Sequence, residues 1–210
     1  MEKVFDFWFK NAFKTIVKDS KTLVTFDDSL SKSLFQTWFG SSAATDEWIT
    51  KEFKDELLKI SQEEQSATNP KETLSKVIIL DQFSRNIFRN SKKMFDFDQK
   101  ALQLSLEAID RGFDHSSELH PMQTVFFYLP LEHSEDLKMQ EQSVQKFKSL
   151  SNRFPEIYAL KEFEKYALEH YDLVKKFNRF PHRNKLLGRE NTSDEDAYLS
   201  AQTSVFGVQV

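Results

Sequence analysis

The stretch NPKETLSKVIILDQFSRNIFR, Asn69 to Arg89, decides the fold of this chain. Asn69 is a good N-cap, Pro70 gives up an N–H that has no partner in a first turn, and Glu72 sets an acid at the third position. Val77 to Leu80 carry the apolar run onward, so one helix is predicted from Pro70 toward Phe88. The same spacing of three and four between punctuating residues recurs along the chain. It predicts a first helix over Val4 to Lys18, and a second over Ser29 to Phe39, capped by Asp27 or Asp28 and stopped by Gly40. Thr45 or Asp46 then caps a helix carrying Trp48, Phe53, Leu57 and Ile60. Asp96 or Asp98 opens another that Gly112 closes, and Pro121 starts one that Pro130 interrupts. Helices follow near Glu135–Leu150, Pro155–Phe177, Pro181–Leu187 and Asp194–Ala201, the last with Thr192 and Glu195 at capping-box spacing. No segment shows sustained strand alternation. The expected class is all-α, one helical domain over 1–210.

Composition agrees. Four glycines and five prolines stand in 210 residues, where average usage would give roughly 25, so a turn-rich β sandwich is excluded. Phenylalanine supplies 21 residues, enough for a sizeable core despite a mean hydropathy of −0.57. The absence of cysteine removes disulfides, thiolate nucleophiles, iron–sulfur clusters and cysteine zinc sites. The N-terminal MEKVFDFWFK is interrupted by Glu2 and Asp6 and is not expected to be a signal peptide. The apolar run Val125–Leu131 falls far short of the roughly 20 residues of a membrane span. We expect a soluble, cytoplasmic protein. A net charge of −4 with both signs interspersed gives no basic footprint for nucleic acid.

The tetrapeptide Asn152-Arg153-Phe154-Pro155 returns as Asn178-Arg179-Phe180-Pro181. One reading is that each marks a helix end followed by a first-turn proline. The other is a repeat: Ser143, Phe147 and Pro155 match the second half of a tetratricopeptide unit, although Pro130 spoils the first half. Ala101, Ser105 and Ala108 form a small-residue stripe that lets helices approach. The expected arrangement is therefore irregular antiparallel helical hairpins in a tetratricopeptide-like stack.

Three polar stretches stand out. In DQFSRNIFR, Asp81 and Arg85 share a helix face with Arg89 one turn on. In LPLEHSEDL, Leu129 to Leu137, His133 sits among Glu132, Glu135 and Asp136. In NRFPHRNKLLGRE, Asn178 to Glu190, Pro181 at a first helical position leaves backbone N–H groups beside Arg179, His182 and Arg183, a plausible anion site.

These stretches resemble the uncharacterised "domain of unknown function 924" family, whose motifs run DQFPRNIFR, PLxHSEDL and RFGRFPHRNxxLGRESTPEE. Here they are DQFSRNIFR, PLEHSEDL and KFNRFPHRNKLLGRENTSDE, in the same order from Phe7 to about Glu195, with the FWF near the N-terminus also present. Ser84 replaces a proline and Asn178 a glycine, changes that touch turn geometry. The resemblance implies a tetratricopeptide-like all-helical fold and no established function.

The candidate ligand-binding set is Asp81, Arg85, Asn86, Arg89, His133, Glu135, Arg179, His182, Arg183 and Asn184, with His133 and His182 as candidate general bases. Each has a bland alternative. Asp81, Arg85 and Arg89 fit a structural ion-pair network as well as a ligand contact. His133 fits a base oriented by Glu132 or Asp136, and equally a capping histidine. Arg179, His182, Arg183 and Asn184 fit an anion site or a helix cap. His170 is able to approach His182, while His115 and His120 lie in a loop and carry no argument. A lone histidine among acids lacks the spacing of zinc motifs, so no metal is expected, and no cofactor. The glycines are too dispersed for a phosphate loop, and no serine sits in a nucleophile elbow. The preferred expectation is one pocket built from the three motifs, where Arg85, Arg179 and Arg183 hold a small carboxylate or phosphate. The rivals are a Phe-lined scaffold that binds a peptide and a hydrolase with a histidine base.

Overall fold

The structure, a computed structural model, describes residues 1–9, 13–18, 21–26, 31–206 and 208–209, with side-chain surroundings over 1–9 and 35–206. It is an all-α fold. Its helices are α1 (Glu2–Phe9), α2 (Ser31–Phe39), α3 (Ala43–Gln62), α4 (Pro70–Ile78), α5 (Ser84–Ile87), α6 (Asp98–Asp110), α7 (Pro121–Glu132), α8 (Leu137–Arg153), α9 (Ala159–Phe177), α10 (Asn184–Leu187) and α11 (Ser193–Ser200). α6 packs on α7, α7 on α8, and α8 on α9. The short connections 133–136 and 154–158 make α7–α8 and α8–α9 antiparallel hairpins.

The N-terminus corrects the sequence expectation. α1 ends at Phe9, and Phe13–Lys18 pairs antiparallel with Lys21–Phe26 as strands β1 and β2. Thr15, Ile16 and Val17, then Thr22, Val24 and Thr25, are β-branched residues stiff at χ1 and suited to a pleated ribbon. A second, two-residue pair joins β3 (Ser204–Val205) to β4 (Val208–Gln209). The proposed caps Asp27 and Asp28 lie outside the described residues.

Elsewhere the signals are placed more finely. Asn69 accepts from the Glu72 N–H and Pro70 opens α4. Thr192 and Glu195 form the reciprocal capping box of α11. α3, however, starts at Ala43, two residues before Thr45, because Ser42 is the residue in extended conformation whose hydroxyl accepts from the Thr45 N–H. α6 opens at Asp98 as expected, although the residue in the cap position is Phe97, which makes no side-chain cap. Pro130 lies inside α7, which ends two residues later at Glu132. The two NRFP copies behave differently: Asn178 caps α9 in the left-handed conformation at φ 56°, whereas Asn152 lies in the last turn of α8. Pro181 opens a 3-10 turn, Pro181–Arg183, but Pro155 precedes α9 by a full turn.

α7 is buried on every side from Met122 to Glu132, as expected of a helix apolar all round. Trp8, Trp38, Phe83 and Phe126 meet around it, mostly edge to face, with ring centroids 5.1–6.5 Å apart. Each such ring contributes roughly 1.5–3 kcal/mol by burial, and the Trp38 indole N–H is satisfied by the Trp8 carbonyl at 2.8 Å. Through Phe83 and Phe126 this aromatic core anchors the segment that follows α4 and the helix α7, which bear the first polar motif and the start of the second.

Candidate functional site

Between α4 and α5 the helix widens into a π-helical segment, Ile79–Phe83, all of it buried. Such segments insert a residue into the ladder and are frequent at functional sites. Here the π segment holds Asp81, which is 1% exposed. Its Oδ1 lies 2.7 Å from His133 Nδ1 and its Oδ2 accepts from Gln82 Nε2 at 2.5 Å. Burial alone would raise this carboxyl, but His133 and Arg85 hold it below the usual carboxylate range. A carboxylate only accepts, so Nδ1 of His133 is the donor in this contact; in the neutral imidazole that makes Nε2 the acceptor. Glu132 and Asp136, the expected orienting acids, do other work. Asp136 caps α8 by accepting from the N–H groups of Lys138 and Met139, and Glu132 stands beside His170, Oε1 to Nδ1 at 3.3 Å.

Arg85 turns mainly away from Asp81, which is 3.8 Å distant. Its Nη1 meets Asp98 at 2.9 Å and the Met94 carbonyl at 2.6 Å. Arg183 shares the same acid: its Nη1 lies 3.6 Å from Asp98 Oδ2. Arg183 is 8% exposed and is held between two rings, 4.8 Å from the centroid of Phe95 and 4.4 Å from that of Phe180. Burial and the nearby Arg85 pull its pKa down to about 10 in spite of Asp98. Its guanidinium makes no hydrogen bond among the described residues, and Arg183 Nε, Arg85 Nη2 and His182 Nδ1 are all buried without a hydrogen-bond partner. Burial and Arg183 push the His182 imidazole down to about 3, so it is neutral.

These groups line a cavity of about 350 Å³ to which Arg85, Asn86, Arg89, His133, His182 and Arg183 all contribute, together with His170, Phe95 and Phe206. A second cavity, of about 430 Å³, is lined largely by Phe35, Phe39, Leu129, Phe163 and Tyr166, with Glu132, His133, His170 and Phe206. His170 donates from Nδ1 to the Tyr166 carbonyl at 2.8 Å. Burial takes its pKa well below the ordinary value, and burial with the nearby Asp81 and Glu169 takes that of Glu132 well above. Phe206, at φ 48°, occupies a backbone region costly for a bulky residue. Its ring stacks on His170 at 3.5 Å.

The remaining expected residues are engaged elsewhere. Asn86 and Arg89 reach the cavity wall but are tied to Asp46 of α3, Arg89 through both Nε at 2.5 Å and Nη2 at 2.8 Å. Arg179 is clamped by Glu195 through two 2.6 Å bonds and does not join the group. Glu135 is paired with Arg189 and accepts from the Phe180 N–H. Asn184 donates to Asn191 and Glu195. The sequence missed Asp98 as a partner of two arginines, Phe95 and Phe180 as the rings that hold Arg183, and Phe206. An acid that opens a helix and a ring in a short turn or connection give no local sign of such roles. His120, read as uninformative, is the N-cap of α7, its neutral Nδ1 accepting from the Met122 N–H. Among the described residues no three metal-ligating side chains are grouped to hold an ion, and no helix is long and apolar enough to cross a membrane.

The chain matches the family described as "Bacterial protein of unknown function (DUF924)" over residues 4–203 and belongs to it. It is similar to a solved structure of a protein of unknown function from Agrobacterium tumefaciens, at 32% identity with a TM-score of 0.70, covering 81% of this chain and 92% of that one. No curated protein matches it.

Proposed function

We propose that the protein binds a small molecule through a carboxylate or phosphate seated against Arg183, Arg85 and His182. The observation that carries this is Arg183: a guanidinium buried between two rings, with its one acid at 3.6 Å and no hydrogen bond made among the described residues. A buried cation left with unmade hydrogen bonds is costly, and a planar oxyanion satisfies it in the bidentate geometry that arginine favours. Arg179, Glu135 and Asn184 belong in this reading to the frame that holds the 178–190 segment in place. The α6–α9 run is read as an irregular tetratricopeptide-like stack, supported by its consecutive hairpins, and the location as cytoplasmic, on the cysteine-free composition.

A second reading, hydrolysis with His133 as general base, is favoured by the Asp81–His133 contact at 2.7 Å. An acid behind Nδ1 orients an imidazole so that Nε2 is able to take a proton from water.

The test is a thermal-shift titration with inorganic phosphate and phosphorylated and carboxylate metabolites, on wild type, Arg183→Lys and His133→Ala. A ligand at a hundredfold excess over Kd adds about 2.7 kcal/mol, on the order of 5 °C or more for a chain of this size. A response lost in Arg183→Lys supports anion binding. An equal response in that variant, or none in wild type across the set, contradicts it.

A further inference from the structure

The polar cavity does not stand alone. It adjoins the larger cavity: the two share Phe39, Gly40, His133, His170 and Phe206, with the imidazoles of His133 and His170 at the boundary. Their walls differ in kind. One presents guanidiniums and His182; the other is mainly hydrocarbon and aromatic ring, from Phe35, Leu129, Phe163 and Tyr166. Burial raises the pKa of Glu132, the acid on the apolar side, well above the ordinary carboxylate value, which disfavours a fixed charge in that chamber. Each chamber lies in the lower half of the roughly 300–1,000 Å³ typical of small-molecule sites.

Building on the oxyanion reading above, we infer that the ligand is an anionic amphiphile: a carboxylate or phosphate monoester in the arginine chamber, joined to a hydrocarbon tail in the phenylalanine chamber. The two ends of one molecule match the walls of the two adjoining cavities. A small inorganic anion would leave the larger chamber unfilled, whereas an uncharged hydrocarbon would leave the hydrogen bonds of Arg183 unmade.

The experiment is calorimetric titration with inorganic phosphate and with n-alkyl phosphates and n-alkyl carboxylates of rising chain length, each below its aggregation concentration. Affinity is expected to rise about fourfold per methylene until the chamber is full, and then to level off. The phosphate and carboxylate series show which head group is taken. Arg183→Lys should weaken every member by a similar factor. Tyr166→Asp, at a wall position of the apolar chamber that is 44% exposed, should flatten the length dependence, with far-ultraviolet circular dichroism matching that of wild type to report that the variant is folded. Binding that depends on Arg183 but not on chain length would overturn the amphiphile and leave the oxyanion site standing. No binding by any member would overturn both. A gain with length indifferent to both substitutions would mean surfactant adsorption, and would also overturn the inference.

Discussion

Asp81 is ionised although it is almost wholly buried, and His133 is the reason. Asp81→Asn is therefore expected to shift the His133 proton from Nδ1 toward Nε2, because an amide N–H facing Nδ1 requires that nitrogen to accept. Nitrogen-15 spectra of the histidine side chains check this, and an unchanged Nδ1–H tautomer would contradict it. Asn178 makes a different point. At φ 56° it occupies a conformation that glycine adopts freely and asparagine tolerates. Asn178→Gly should be close to neutral, and Asn178→Ala should cost about 1 kcal/mol, read from urea midpoints. This cap was legible in sequence as a position where the family motif carries glycine. The partner of His133 was not, because Asp81 lies 52 positions away and the acids adjacent in sequence were the natural candidates.

At the scale of elements, local chemistry wrote most helix starts plainly: Asn69–Pro70–Glu72, Thr192 with Glu195, and Pro121 all stand where helices begin. Asn69→Ala should lower stability by about 1 kcal/mol and leave any response to phosphate intact, since the cap lies at the far end of α4 from Asp81. Denaturant unfolding with and without phosphate separates the two effects. The π segment Ile79–Phe83 was illegible because its residues are ordinary helix formers, and the widening is set by what surrounds them. Asp81 meets α7, while Asn86 and Arg89 meet Asp46 on α3. The face of Asp81, Arg85 and Arg89 expected from i,i+4 spacing is accordingly divided among three partners. The β1–β2 hairpin was missed for a related reason: the β-branched run of β1 was absorbed into the three-and-four spacing of the first helix, and β2 fell between that helix and the next.

For the whole molecule, the meeting of the three motifs is a tertiary fact that no spacing within one helix encodes, although the separate motifs named most of its polar members. It has a consequence for acid stability. His182, at about 3, and His170 stay neutral when folded and take protons near pH 6.5 when unfolded. The unfolded state then binds more protons, so stability falls as pH drops below 6.5, by about 1.4 kcal/mol per pH unit for each histidine. Glu132 acts oppositely. Its folded pKa is raised, so its contribution is full below about pH 4.5 and is lost as pH rises through the folded value. His182→Asn should flatten the acid limb of the stability profile, and Glu132→Gln should steepen it between pH 4.5 and 6.5. Equal slopes in both variants and wild type would contradict these assignments.

The central claim rests on one guanidinium, so the most direct measurement observes it. In a nitrogen-15 spectrum of arginine side chains, the Arg183 Nε–H resonance is identified by its absence in Arg183→Lys. Titration with inorganic phosphate is predicted to shift that resonance to a saturating end point, with Arg85 following and Arg179, already held by Glu195, unmoved. An Arg183 resonance that stays in place through the titration, or moves no more than that of Arg179, would contradict the account.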